Sequence, residues 1–174
     1  MDVWDAIRAK RAVRRFTNAP LPDAVARRIL DAGRRAQSAK NSQPWDFVVV
    51  RDRERLRALS QCGAWLGHVA GAALCVAIVT PSPAGNDRYV WNLFDAGQCA
   101  AYMQLAAQEM GVGSCLGTVY EAERARALLG YPEDRELRIV ISFGYPDPDA
   151  QQGGLGRAGR RPFDEVVHWE RWQP

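Results

Sequence analysis

Lys10-Arg11-Ala12-Val13-Arg14-Arg15 places four cations within six residues of a 174-residue sequence. In an extended segment alternate side chains share a face, so Arg11 and Arg15 point one way and Lys10 and Arg14 the other. An anionic ligand that needs positive charge at two places can draw on both sets. Arg160-Arg161 forms a second pair near the other end, and a guanidinium suits bidentate phosphate contacts. Taken singly, each cluster reads as a solvated face; other features must join it before it reads as a site.

Other routes to chemistry find little support. The sequence has no G-x-S-x-G, no H-E-x-x-H and no P-loop. Gly111-Val112-Gly113 follows a helical pattern instead of a first strand, so it is not a dinucleotide fingerprint. His68 and His168 are the only histidines, and His68 reads as a satisfied core or surface residue. Cys62, Cys75, Cys99 and Cys115 lie 13, 24 and 16 residues apart, a spacing that fits neither a zinc site nor a disulfide framework.

Composition sets the class. Apolar residues make up 47% and charged residues 25%, ordinary for one globular domain spanning residues 1–174. There are 21 Arg against 2 Lys, yet the net charge is only +3, which argues against a generic polyanion binder and so against nucleic acid as partner. MDVWDAIRAKR lacks the apolar core of a signal peptide. Ala58 to Asn86 carries no charge, but it contains Ser60, Gln61 and His68 and ends in LCVAIVT before Pro81. It reads as a short helix leading into a buried strand, not a membrane span. A soluble, cytoplasmic protein is the expectation.

The elements that must position these residues are legible from periodicity. Asp2 can cap a first helix to about Lys10, and Asn18 to Pro22 breaks the chain before a second helix whose stripe is Val25, Ile29, Leu30 and Ala36. Ser38 to Pro44 is a polar loop. Asp46 to Val50, Leu74 to Thr80 and Leu137 to Phe143 read as buried strands, Asp52 to Ser60 and Glu121 to Leu129 as small helices, and Gly113 to Thr118 as Gly-rich and strand-like. Tyr89 to Met110 is a long helix with Trp91, Phe94, Ala101, Leu105 and Ala106 at its apolar positions and Gly111 at its C-terminal cap. Its uncharged Ala-rich interior, and a tail carrying Val166, Val167, Trp169 and Trp172, both call for apolar surface elsewhere, on this chain or a partner. Helices and strands without strict βαβ alternation predict an α+β layered domain.

Four segments, in order, resemble the FMN-dependent nitroreductase family. KRAVRRF is similar to its R-R-S-x-R-x-F motif, and AGRRAQSAKNSQPWDFVVV (Ala32 to Val50) to A-P-S-x-x-N-x-Q-P-W-x-F-x-V-V. WNLFDAGQCAAYMQLAAQEMGVGSCLG (Trp91 to Gly117) resembles the D-x-G long helix with its Gly-rich exit, and RRPFDEVVHWERW the R-K-P-L-x-E-V-V-H tail. The resemblance implies a three-layer sandwich, a central mixed β-sheet flanked by helices, in an interlocked homodimer whose C-terminal tail reaches the partner subunit. Two FMN sites at the interface would each be built from both chains. By position, Lys10 and Arg11 with Arg160 and Arg161 would hold the phosphate, and Arg14 would lie at the pyrimidine edge, where reduction leaves negative charge. Gln37, Ser38 and Asn41 would reach the flavin from the other subunit. Leu116, Gly117 and Thr118 would pass beside the ring, with the Thr118 N–H facing N5 and small residues at Gly113, Ser114 and Gly117 admitting close approach. Ala12 stands where the family usually has Ser, and Gln37 where it usually has Pro. Trp45 reads as core beneath the first strand.

The activity this implies is an NAD(P)H-dependent oxidoreductase working in two half-reactions, hydride in from NADH or NADPH and hydride out to an electron-poor small molecule such as a nitroaromatic or quinone. Trp91, Phe94 and Tyr120 are the aromatic candidates for the acceptor pocket. No catalytic side chain and no metal are expected, because the flavin carries the redox chemistry. Alternatives are a reductive dehalogenase or flavin-cleaving enzyme of the same fold, for whose lid the Pro81 to Asp87 loop is short, and a flavin-holding protein without turnover.

Overall fold

The computed structural model describes residues 1–150 and 159–172. Local sequence signals set the helix ends. Asp2 caps α1 (Val3–Ala9) by accepting the Asp5 N–H at 2.7 Å, and Asp52 caps α3 (Arg53–Ser60) through the Arg55 N–H at 2.9 Å. Helix α2 (Asp23–Arg34) starts just after Pro22, α4 (Tyr89–Glu109) is followed by Gly111 at φ +71, and α5 (Ala122–Leu129) ends at Gly130.

Strands β1 (Asp46–Val50), β2 (Leu74–Pro81), β3 (Gly113–Thr118) and β4 (Arg135–Gly144) form one sheet in the order β1-β2-β4-β3. All three pairings are antiparallel, and the parallel contact is a single bridge between Ala12 and Ser114. Leu74, Val76 and Ile78 of β2 face α2 and α4 in one core; Cys75, Ala77 and Val79 face α3 and α5 in another. Helices on both faces explain why LCVAIVT is a continuous apolar run instead of an alternating one. A bulge steps the register from Ile78↔Ile139 to Val79↔Leu137, which sends Ile139 to the first core and Leu137 to the second. The result is the three-layer α+β arrangement. No helix among the described residues is long and apolar enough to cross a membrane.

Two expectations need correction. Strand β1 is not fully buried: it is an edge strand, and Asp46 and Val49 are exposed. The buried face of α4 is not Trp91, Phe94, Ala101, Leu105 and Ala106 but Asn92, Asp95, Ala96, Cys99, Ala100, Met103 and Ala107. Small residues are needed where the long helix lies against α2 and the sheet, so the bulky aromatics turn outward. Trp45 is buried in the first core, as read from the sequence.

Candidate active site

Residues 10–16 run as extended chain along the open rim of β3. Beyond the Ala12–Ser114 bridge, the Val13 N–H donates to the Ser114 carbonyl at 2.9 Å. An edge strand offers its outward backbone groups to such a partner. This brings Arg14 over a cavity of about 310 Å³, lined by Arg14, Ala64, Trp65, Gly67, His68, Cys115 and Leu116. Lys10 and Arg14 both lie close enough to favour the Cys115 thiolate, although burial, the larger effect, holds that thiol above its ordinary range. Lys10 itself sits below the usual ammonium range, first through burial and then through Arg14, with Cys115 opposing. Arg15 turns away to pair with Asp147 at 3.1 Å. Arg11 folds back onto the carbonyls of Arg8 (2.6 Å) and Lys10 (2.9 Å), closing the end of α1, and does not line the cavity.

His68 forms the inner wall, only 7% exposed. Its Nδ1 lies 2.7 Å from the Ser142 Oγ, and the Ser142 hydroxyl reaches the Cys115 carbonyl at 3.3 Å. Its Nε2 is buried with no hydrogen-bond partner. Burial, and then the positive charge of Arg14, lower the His68 pKa to about 4, so the imidazole is neutral at pH 7. Gly117 makes this packing possible: a Cβ there would stand 2.3 Å from Leu66 Cδ2 and 3.0 Å from His68 Nε2.

Strand β3 supplies the third wall. The Val119 N–H donates to the Arg138 carbonyl at 2.9 Å, so the alternation of an antiparallel ladder turns the Thr118 N–H away from β4. Leu116 presents its side chain at the rim, 42% exposed.

The remaining predicted residues lie elsewhere in the chain. Gln37, Ser38 and Asn41 precede β1, at the opposite edge of the sheet from β3. With β2 and β4 between, the two edges are about 14 Å apart. Their loop is built under strain: Lys40, Asn41 and Gln43 have φ of 55, 54 and 46, left-handed values that non-glycine residues rarely take. It is held by the Ser38 Oγ accepting the Gln43 N–H (2.9 Å), the buried Asp95 carboxylate accepting the Ala39 N–H (3.0 Å) and Arg88 donating to the Ala39 carbonyl (3.0 Å). Trp91 and Phe94 meet edge to face at 6.5 Å on the outer side of α4, and Tyr120 is exposed after β3; none of the three lines the Arg14 cavity. Arg160 is exposed, and Arg161 bonds Glu165 within the C-terminal segment.

The nitroreductase family model matches residues 7–66 and 60–145, which include every wall of the cavity. The chain belongs to the nitroreductase family. Among its relatives, the NADH dehydrogenase of Thermus thermophilus is 30% identical over 202 aligned residues, covering 97% of this chain and 96% of the relative. An FMN-dependent nitroreductase from Clostridium difficile superposes with a TM-score of 0.81 at 26% identity, over 97% of this chain and 99% of that one. A Desulfovibrio desulfuricans protein solved in complex with FMN gives a TM-score of 0.81 at 29% identity, over 99% of both chains.

In this nitroreductase chain, sequence reasoning missed five residues that shape the site and its loop. His68, Trp65 and Ser142 line or support the cavity, and Asp95 and Arg88 hold the Gln37–Gln43 loop. One signal was available: His68 is the sole histidine in a stretch with no Asp, Glu, Lys or Arg, so its burial beside a strand was readable. Asp95 stood inside the quoted D-x-G segment, but its partner Ala39 lies 56 residues away and carries no side-chain signal.

Proposed function

We propose that this nitroreductase-family chain is an FMN-dependent oxidoreductase that takes hydride from NADH or NADPH and reduces electron-poor acceptors, nitroaromatics or quinones, as a homodimer. The observation that carries this reading is the cavity in which the guanidinium of Arg14 meets the open rim of β3. Its groups fit a flavin in kind: a fixed cation for the edge where negative charge accumulates, an outward Thr118 N–H as donor, an unpartnered His68 Nε2 and an apolar rim at Leu116 and Trp65. Lys10 beside Arg14 supplies charge suited to the phosphate, with Arg11, Arg160 and Arg161 as further candidates.

When bound, FMN supplies the hydride-accepting and hydride-donating chemistry. The protein's part is to bind, orient and set the potential. Arg14 would stabilise the accumulating negative charge and so favour the reduced form. Gly117 and the largely buried His68 would back the bound flavin, and the exposed rim at Leu116 would face the nicotinamide and the acceptor.

Two features of the single chain support the proposed dimer. Gln37, Ser38 and Asn41 precede β1, the strand about 14 Å from β3 across the sheet, an arrangement that favours their serving the Arg14 cavity of a second copy. Val90, Trp91 and Phe94 on α4, Trp4 and Ile7 on α1, and Phe163, Trp169 and Trp172 in the tail are all exposed, more apolar surface than a monomer ordinarily leaves wet. The test is anaerobic: the yellow protein bleaches on stoichiometric NADH or NADPH and recovers its absorbance on adding a quinone. A yellow protein that neither nicotinamide bleaches contradicts the assigned activity.

A further inference from the structure

We propose that His68 is the proton-accepting residue of this site, taking up one proton from solvent at its unpartnered Nε2 when a hydride places negative charge beside Arg14, and giving it up when the acceptor is reduced. The inference rests on the flavin site proposed above and adds a role for a side chain of this chain.

We assign the His68 tautomer from its hydrogen-bond network. The Ser142 hydroxyl proton is directed at the Cys115 carbonyl, which leaves its Oγ to accept from the His68 Nδ1–H. Nε2 is then a bare lone pair, buried in the wall of the cavity that Arg14 and Leu116 line, against the backbone of Gly117. A buried lone pair without a donor costs stability and is rare unless a ligand or a proton completes it. The charged and titratable groups around it are Arg14 from the N-terminal segment and Cys115 from β3, with Lys10 facing Cys115; among the described residues its hydrogen-bond partner is Ser142 from β4. Without a ligand, burial and then the charge of Arg14 keep the imidazole neutral. A negative charge delivered next to Arg14 cancels the cation and reverses that balance.

The electron and proton count closes. A hydride brings two electrons and one proton from NAD(P)H, leaving one added negative charge in the cavity, and the solvent proton on Nε2 balances it. A quinone that then receives the hydride also receives this proton, directly or through water, so it gains two electrons and two protons and the site returns to its starting state.

His68 and His168 are the only histidines, so ring-labelled FMN-bound protein gives two imidazole signals, assigned with His168→Gln. At pH 7 the His68 signal should move from neutral to protonated on anaerobic reduction of the bound flavin, its proton affinity rising about ten-thousandfold or more. A His68 that stays neutral in the reduced protein overturns the proposal. A second measurement is the pH slope of the flavin midpoint potential from pH 6 to 8. Each proton taken up per two electrons contributes about 30 mV per pH unit, so the native protein should show about 60 and His68→Gln about 30. Equal slopes in a variant that still holds its flavin contradict the role of His68 alone. A preparation that binds no FMN contradicts the site itself.

Discussion

Arg14 and His68 face the same cavity, and their chemistry differs in kind. Arg14 is a permanent charge, so its effect is a shift of the flavin potential. Arg14→Ala should lower the midpoint by about 30–60 mV, since about 30 mV corresponds to a tenfold change for a two-electron couple. Spectroelectrochemistry reads this directly, and an unchanged potential counts against its place at the pyrimidine edge. His68 is a titrating group. Its pKa lies near 4 in the folded chain against 6.5 for an ordinary histidine, so the unfolded chain binds more protons between those values. Stability of the flavin-free protein is therefore full above pH 6.5 and falls as the pH drops through that window, by up to about 3 kcal/mol. Urea midpoints across pH 4 to 7 should show this loss, and His68→Gln should flatten it. The cation cluster was legible at this scale because charge density survives in one dimension. Which cation enters the cavity was not: Arg11 and Arg14 are alike in sequence, and only the Ala12–Ser114 bridge turns one inward while the other closes a helix.

Helix α4 shows where reading by element holds and where it fails. Its ends at Tyr89 and Gly111 followed from composition and a glycine cap. Its buried face did not, because a hydrophobic stripe was sought and the packed side is made of Ala, Cys, Met and two polar residues, Asn92 and Asp95. Helix α4 packs with α2 over the sheet, where small side chains allow close approach, while Trp91 and Phe94 are left for another surface. Asp95 shows why a polar residue belongs there. It accepts the Ala39 N–H from inside the first core and restrains a loop with three left-handed residues. Asp95→Ala strands that N–H and releases the strain it opposes, at about 1–3 kcal/mol. For a chain of this length that lowers Tm by roughly 2–12 °C, and flavin affinity should fall at least tenfold if the loop serves the cavity of a partner. A variant with lowered Tm and native flavin affinity would show that the loop is structural only. Strands β2 and β4 were readable because burial on both faces makes them continuous apolar runs; the edge position of β1 was not, since pairing order is absent from local pattern.

For the molecule as a whole, the three-layer α+β architecture emerged from the alternation of helical and strand periods and from the resemblance of four ordered segments. The assembly is the part that a single chain leaves open. Exposed aromatics on α1, α4 and the C-terminal segment, and a Gln37–Asn41 loop that precedes the opposite edge strand from β3, are what the proposed homodimer would account for. Sedimentation of the purified protein, followed at once by protein absorbance and by flavin absorbance near 450 nm, tests this most directly. The account predicts one boundary at twice the 19.4 kDa chain mass carrying one flavin per chain; flavin travelling with a monomer, or a dimer that carries none, would contradict it.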